Sequence, residues 1–179
     1  MDYSKAFHLV AKVSKESAVP CILIGGFAIN FYKVTRDTLD VDFLITKEDF
    51  AKIKDALLGA GYAEEFATDV VVRFSNKQEA LDIDFMIVDK ATREKIREDG
   101  KEIEVVGEKL VIPSLDHLIA LKLHAIKHNQ KGRIWKDLPD IIGLIKMNKI
   151  DCRGRSFRDL CLKYGSDEIY QTILKNCGR

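Results

Sequence analysis

Hydrophobic and polar residues follow one another along this chain in short blocks that predict strands mixed with helices, and then helices alone. Strands are predicted at residues 21–24, 39–43, 62–66, 69–74, 80–88, 102–106 and 109–112, and helices at residues 3–17, 47–59 and 90–98. From Ser114 onward the pattern is helical to the end. We therefore predict an α/β (α+β) fold, with a mixed β-sheet core flanked by helices in residues 1–112 and a C-terminal helical subdomain in residues 113–179.

Two aspartates, Asp40 and Asp42, alternate with the apolar residues Leu39, Val41 and Phe43 on one predicted strand. Because successive side chains of a strand point to opposite faces, both carboxylates share one face, roughly 6.5 to 7 Å apart along the backbone. Paired aspartates on a strand often mark only a solvated face. Here a second strand repeats the pattern, which favours a site for divalent ions, Mg²⁺ or Mn²⁺.

The second acidic strand carries Asp82 and Asp84 among the apolar residues Leu81, Ile83 and Phe85. If the two acidic strands are neighbours, about 4.8 Å apart, an aspartate from this one would lie beside the first pair. Three acids at that distance repel one another unless cations bind between them. Asp84 is favoured as the third ligand because it opens an unbroken apolar run, but Asp82 faces the same way and stays an alternative.

A Gly25-Gly26 pair follows the apolar strand at residues 21–24 and precedes a short predicted helix. Glycines without a Cβ let the backbone approach a phosphate closely, although a Gly-Gly after a strand is more often a simple turn. Arg36 lies just before the first acidic strand, where it would bind phosphate or pair with Asp37.

These residues resemble the nucleotidyltransferase superfamily typified by DNA polymerase beta. Its pattern is a Gly-Gly or Gly-Ser, a gap of about a dozen residues, an acid-x-acid strand and a third acid later in the chain. Gly25-Gly26, the thirteen residues that separate them from Asp40, then Asp42 and Asp84 follow this order. Within the superfamily, Gly-Gly-Phe-Ala at residues 25–28, the run from Arg36 to Asp42, and residues 113–122 resemble the AbiEii-type group of toxin-system and stand-alone enzymes.

The resemblance implies a metal-dependent nucleotidyltransferase that moves a nucleoside monophosphate from a nucleoside triphosphate to a hydroxyl and releases pyrophosphate. The acceptor would be RNA, a protein or a small molecule. Asp40, Asp42 and Asp84 would be the catalytic residues and, with Asp82 as the alternative third acid, the ligands of Mg²⁺ or Mn²⁺. The residues that would contact the nucleotide are Gly25, Gly26, Arg36, Thr38 and Lys122.

Lys122 interrupts the apolar stripe of the helix that follows Pro113. One interpretation is a lysine that extends its ammonium to the surface, and the other is a cation that reaches the triphosphate. Further along, Asp137 precedes Leu138 and Pro139, which predicts a helix N-cap at Asp137, because proline is tolerated in the first turn of a helix.

Charged residues are distributed unevenly along the chain. Residues 1–117 carry 16 lysines and arginines against 22 acidic residues, whereas residues 118–179 carry 13 against 6. Such an asymmetry indicates a polyanionic partner, for which we favour RNA; the alternative is that the cations are dispersed over helix surfaces. The cations in question are Lys122, Lys127, Lys131, Arg133, Lys136, Arg153, Arg155 and Arg158.

Several other classes of protein are disfavoured by the sequence. It has no apolar run near the eighteen or so residues that cross a bilayer and no signal-peptide pattern at its start, so we expect a cytoplasmic protein. Its four cysteines form no C-x-x-C pair, which argues against a zinc site or a disulfide framework. The rival to an enzyme is a non-catalytic module of the same fold, such as an antitoxin or an RNA-binding partner.

Overall fold

The computed structural model describes residues 4–177; residue 3, where the first helix was predicted to start, and residues 178–179 lie outside that range. The strands are β1 Ile22–Ile24, β2 Asp40–Thr46, β3 Ala63–Ala67, β4 Val71–Ser75, β5 Asp82–Val88, β6 Lys101–Val105 and β7 Glu108–Ile112. The helices are α1 Ser4–Glu16, α2 Gly25–Phe31, α3 Lys47–Gly59, α4 Lys90–Glu98, α5 Leu115–His128, α6 Gln130–Asn148, α7 Arg155–Tyr164 and α8 Asp167–Cys177. Among these described helices, none combines the length and apolar character needed to cross a membrane.

The seven strands form one sheet in the order β3-β4-β5-β2-β1-β7-β6. β2 pairs with β5 in parallel, and β1 pairs with β7 in parallel, while the remaining pairs are antiparallel. The predicted mixed α/β sheet is therefore confirmed. Its centre is the pair of acidic strands, with Asp40 opposite Asp82 and Asp42 opposite Asp84.

Aspartates alternate with apolar residues along β2 and β5, so one face of the sheet is apolar there and the other is acidic. Val41, Phe43, Ile83 and Phe85 are fully buried, and the rings of Phe43 and Phe85 stack with their centroids 6.0 Å apart. Burial of each such side chain contributes about 1.5 to 3 kcal/mol. A shift of one residue in the register would expose these side chains, so the apolar face fixes which way the aspartates point.

A buried ion pair joins α3 to α4 next to this sheet. The Asp49 carboxylate accepts hydrogen bonds from the Arg93 guanidinium and from the Lys52 ammonium at 2.6 Å, while the Asp49 amide donates to Oγ1 of Thr46, the N-cap of α3, at 3.2 Å. Burial alone would raise the pKa of Asp49, but these hydrogen bonds together hold that pKa below its ordinary value. The pair ties the start of α3 to α4, and the carboxylate stays ionised.

The chain divides into two compact units. One contains the whole sheet and comprises residues up to Ala28 together with Arg36–Ser114; the other comprises Ile29–Thr35 and the residues from Leu115 onward. Within the second unit the segment 29–35 packs on α6, where Asn148 Nδ2 donates to the carbonyl of Tyr32 at 2.9 Å. This inclusion of residues 29–35 in the helical unit was not indicated by the sequence.

Candidate active site

Three aspartates of the first unit converge on the acidic face of the sheet. Asp40, Asp42 and Asp84 each offer one carboxylate oxygen, and these oxygens all lie within 4.8 Å of one another. The parallel pairing of β2 with β5 causes the convergence, because it sets Asp84 directly opposite Asp42. Asp84 is the most buried of the three, at 9% exposure.

Three carboxylates at this spacing make up an anionic site that fits a hard divalent cation. Oxygen ligands are those that Mg²⁺ and Mn²⁺ prefer, and two ions about 3.5 to 4 Å apart would be spanned by a group of this size. Without a cation the three like charges repel one another. The donor set therefore fits the ions that the sequence predicted.

Asp82 lies outside this group of three, although it is on the same face of β5. Burial raises the pKa of Asp82, the carboxylate of Glu65 raises it further, and the nearby guanidinium of Arg73 only partly opposes the rise. A carboxylate that is harder to ionise is a weaker metal ligand. The geometry thus brings Asp84, and not Asp82, together with Asp40 and Asp42.

Gly25 and Gly26 form the start of α2 and pack directly against the acidic strand. Gly25 has a φ of +64°, and a Cβ built on it would lie 1.8 Å from Asp42 Oδ2. A Cβ on Gly26 would lie 2.9 Å from Thr38 Cβ. The two glycines therefore make room for Asp42 and for Thr38.

Thr38 contacts the first of the acids rather than standing apart from the site. Its Oγ1 donates a hydrogen bond to Asp40 Oδ1 and lies 3.2 Å from the Asp40 carbonyl oxygen. This hydroxyl fixes the orientation of the Asp40 carboxylate. Arg36, also predicted to contact the nucleotide, is half-buried in the segment that leads into β2.

Arg73 belongs to the site and was not predicted from the sequence. It lies on β4 directly opposite Asp84, and its guanidinium binds that carboxylate through two parallel hydrogen bonds, Nε to Oδ1 at 2.8 Å and Nη2 to Oδ2 at 2.5 Å. Nη2 is also 3.7 Å from Asp40 Oδ2. The hydrogen bonds to Asp84 raise the pKa of Arg73 further above its already high value, so this cation is permanent.

Lys122, predicted to contact the triphosphate, lies in the second unit with its ammonium buried. Nζ donates to Asp137 Oδ1 at 2.9 Å and to Asp140 Oδ2 at 2.7 Å, and the residue is 7% exposed. The interpretation of a lysine that extends to the surface is therefore wrong. Two carboxylates compensate the buried charge, and together they hold α5 against α6.

The predicted N-cap at Asp137 is also wrong. α6 begins at Gln130, and Asn129 is its N-cap, with a side chain that accepts from the Gly132 amide. Asp137 is fully buried in the middle of the helix, where its other oxygen accepts from Arg133 Nε at 2.7 Å. The pairing with Lys122 favours an unbroken helix through Pro139, at the cost of one backbone hydrogen bond.

Comparison with known protein families gives one match over nearly the whole chain. Residues 4–179 match a family described as "Uncharacterised nucleotidyltransferase". No match was found among curated protein sequences.

Solved structures with a similar fold include several nucleotide-transferring enzymes. The solution structure of the antibiotic-resistance factor ANT(2'')-Ia is 14% identical over 97% of this chain and 90% of its own, with a TM-score of 0.58. The lincosamide antibiotic adenylyltransferase LnuA, solved with lincomycin, is 14% identical over 82% of this chain and 98% of its own, with a TM-score of 0.57. Megavirus polyadenylate synthase is 16% identical over 80% of this chain and 32% of its own, with a TM-score of 0.55. At these identities the likeness concerns the fold.

Proposed function

The chain belongs to this nucleotidyltransferase family, and on that premise we propose that it transfers a nucleoside monophosphate from a nucleoside triphosphate to a hydroxyl acceptor, with Mg²⁺ or Mn²⁺ as cofactor. The observation that supports the proposal most is the group of three carboxylates, Asp40, Asp42 and Asp84, within 4.8 Å of one another. The Arg73 guanidinium offsets only one of the three negative charges, so the group keeps a net negative charge that a divalent ion would neutralise.

In the proposed reaction the acceptor oxygen forms a bond to the α-phosphorus of the triphosphate. The bond from that phosphorus to the bridging oxygen breaks, and pyrophosphate leaves with the electron pair. The hydroxyl proton passes to a carboxylate oxygen of Asp84. Bound divalent ions would neutralise the phosphate charge and favour ionisation of the hydroxyl.

The residues of the chain would contribute mainly position. Asp40 and Asp42 would hold the ions, and Thr38 keeps the Asp40 carboxylate in its orientation. Gly25 and Gly26 would hold the triphosphate beside these ligands through the backbone amides that open α2, since the space of each missing Cβ is taken by Asp42 and by Thr38. Charge neutralisation at fixed geometry is the main catalytic device of phosphoryl transfer enzymes, and this arrangement supplies it.

For the acceptor we propose RNA that binds to the second unit. Three cations of the basic set identified in the sequence have acidic partners: Lys122 pairs with Asp137 and Asp140, Arg133 pairs with Asp137, and the exposed Arg155 lies 3.7 Å from Asp159. Only the pairing of Lys122 is buried. The cations other than Lys122 and Arg133 are exposed or half-exposed: Lys127, Lys131, Lys136, Arg153, Arg155 and Arg158. A polyanion would be attracted to this surface and repelled by the acidic first unit.

Trp135 supports an RNA acceptor independently of the charges. It is the single tryptophan of the chain, it lies one helical turn after Lys131 on α6, and it is 70% exposed. Exposed aromatic rings beside cations stack on the bases of single strands, with about 1 to 3 kcal/mol per base.

The RNA proposal can be tested through the fluorescence of Trp135, since no other tryptophan contributes. Titration with single-stranded RNA should quench it, and the affinity should fall with salt by a slope of about −0.7 for each phosphate contacted. Replacement of Arg153, Arg155 and Arg158 by Gln should flatten that slope by about 2, because three contacts are lost. The matched control replaces Lys12, Lys77 and Lys95 of the first unit by Gln and should leave the slope unchanged. An unchanged fluorescence with RNA, combined with label on a protein, would favour a protein acceptor instead.

Transfer itself can be tested with α-labelled nucleoside triphosphates in a native lysate. We expect label on an acceptor only when Mg²⁺ or Mn²⁺ is present, and none with Asp40→Asn or Asp42→Asn. The non-catalytic rival, an antitoxin or RNA-binding module, predicts no metal-dependent label from any variant, including the parent. The AbiEii-type subgroup and a role in a toxin–antitoxin pair stay predictions from the sequence, which the identity of the labelled acceptor would address.

A further inference from the structure

The guanidinium of Arg73 is placed between two of the acids. Its Nη2 lies 2.5 Å from Asp84 Oδ2 and 3.7 Å from Asp40 Oδ2. Asp84 and Asp40 come from neighbouring parallel strands, whereas Arg73 comes from the far side of β5, on β4. The nitrogen is therefore in the space that a cation bound by both carboxylates has to enter.

The register between β4 and β5 explains why the arginine lies beside the acids. Arg73 pairs with Asp84 across the antiparallel ladder, so both side chains stand on the same face of the sheet. Its neighbours Val72 and Phe74 are buried on the other face and hold β4 in that register. The two parallel hydrogen bonds then fix the guanidinium on both oxygens of Asp84.

From this geometry we propose that Arg73 is a built-in counter-ion of the metal-free site, and that a divalent ion binds by exchanging with it. The exchange rests on the proposed metal-dependent function. An ion bound between Asp84 and Asp40 would occupy the position of the Nη2 nitrogen, so the ion and the guanidinium cannot both be there. Two cations so close together would also repel each other. The Arg73 side chain is 41% exposed, so its guanidinium has a path into solvent.

Arg73 is thus a positioning residue with two effects. In the metal-free protein it compensates the repulsion among three acids and keeps the rotamer of Asp84 ready for an ion. Arg73 also makes metal binding weaker than it would be to the same three carboxylates without the arginine, because each binding event breaks the hydrogen bonds to Asp84. The chain therefore stays folded without metal and releases Asp84 only when an ion replaces the arginine.

The exchange is tested by titration of Mn²⁺ into the intact chain, by calorimetry, with no nucleotide present. Arg73→Gln removes the guanidinium that the ion has to displace, together with its charge-assisted hydrogen bonds to Asp84, which should tighten the Mn²⁺ dissociation constant by about tenfold or more. Arg73→Lys keeps the charge without the paired hydrogen bonds and should fall between the parent and Arg73→Gln. Arg97→Gln, which removes an exposed charge on α4, is the matched control and should bind as the parent does. Metal-free Arg73→Gln should also melt at a lower temperature than the metal-free parent.

A second measurement observes the unaltered chain, and a variant serves only to assign one resonance. The Arg73 Nε–H resonance, assigned by its loss in Arg73→Lys, should exchange slowly with solvent without metal and quickly once Mg²⁺ is saturating. Unchanged protection at saturation, or Mn²⁺ affinity in folded Arg73→Gln equal to or weaker than the parent's, would overturn the exchange. A parent chain that binds no Mn²⁺ would overturn the metal-dependent function and the exchange together. The first two outcomes would overturn the exchange alone, so the two kinds of failure can be told apart.

Discussion

Replacement of Gly25 by alanine should damage the site with little damage to the fold. Gly25 opens α2 with φ at +64°, in the left-handed region that L residues disfavour by about 1 to 2 kcal/mol. A Cβ there would lie 1.8 Å from Asp42 Oδ2 and 2.4 Å from Asp42 Cγ. Ile24, the residue before Gly25, pairs with Asp42 in the ladder between β1 and β2, and this pairing holds both backbones, so the aspartate side chain has to move.

The size of that movement follows from the contact distance. Real Cβ atoms essentially never come within 3.0 Å of another heavy atom, so the carboxylate oxygen has to retreat by more than 1 Å. A misplacement of about 1 Å in a catalytic group costs about 10²-fold in rate. We therefore expect Gly25→Ala to lose about 10²-fold in kcat, to bind Mn²⁺ more weakly, and to lose only about 1 to 2 kcal/mol of unfolding free energy.

Two other glycines provide the controls for this experiment. A Cβ on Gly59, the last residue of α3, meets nothing within 4 Å, so Gly59→Ala should keep full activity and gain up to about 1 kcal/mol of stability. Gly26→Ala, with a contact of 2.9 Å to Thr38 Cβ, should give an intermediate loss. Urea unfolding, Mn²⁺ calorimetry and labelled-nucleotide transfer measure the three quantities. Parent-like transfer and Mn²⁺ affinity in Gly25→Ala would refute the placement of Asp42 as a metal ligand.

Three further predictions concern buried or acidic groups. Asp84→Asn should lower kcat far more than Asp82→Asn, with little change in KM for either; the reverse order in steady-state assays would make Asp82 the third ligand. Lys122→Met should lower the unfolding free energy by about 3 to 5 kcal/mol in urea, because it removes the ammonium that lies between two buried carboxylates; a parent-like value would show that this pairing does not stabilise the fold. Asp49→Asn should cost about 3 kcal/mol at pH 7 through its buried partner Arg93. Since the pKa of Asp49 is held below its ordinary 3.8, the parent's advantage should be complete above that pH and shrink as the pH falls below it; a gap that does not narrow as the pH is lowered would contradict the pairing.

The acidic residues of the site could be identified from the sequence because strand alternation fixes the face on which each one lies. Asp40 and Asp42 follow from that rule alone. The choice between Asp82 and Asp84 does not, because alternation places both on one face. It depends on the register of β2 against β5, two strands that are far apart in the chain and parallel in the sheet.

The roles of Arg73 and Asp137 depend on tertiary contacts that local sequence patterns do not reveal. A single arginine on a short strand is typical of a solvated position, and only the ladder with β5 reveals that it faces Asp84. Asp137 before a proline is typical of a helix start, since Pro139 would then lie in the first turn. The buried ammonium of Lys122, fifteen residues earlier, instead favours a continuous helix, and that tertiary pairing outweighs the local preference.

The most direct test of the central claim measures pyrophosphate release together with labelled acceptor in one reaction. Parent chain is incubated with each α-labelled nucleoside triphosphate and native lysate, with Mg²⁺ or with a chelator, beside Asp42→Asn. We predict pyrophosphate and label in equal amounts for the parent with Mg²⁺, and neither with the chelator or in Asp42→Asn. Equal release by parent and Asp42→Asn, or release that persists in the chelator, would contradict metal-dependent nucleotidyl transfer at Asp40, Asp42 and Asp84.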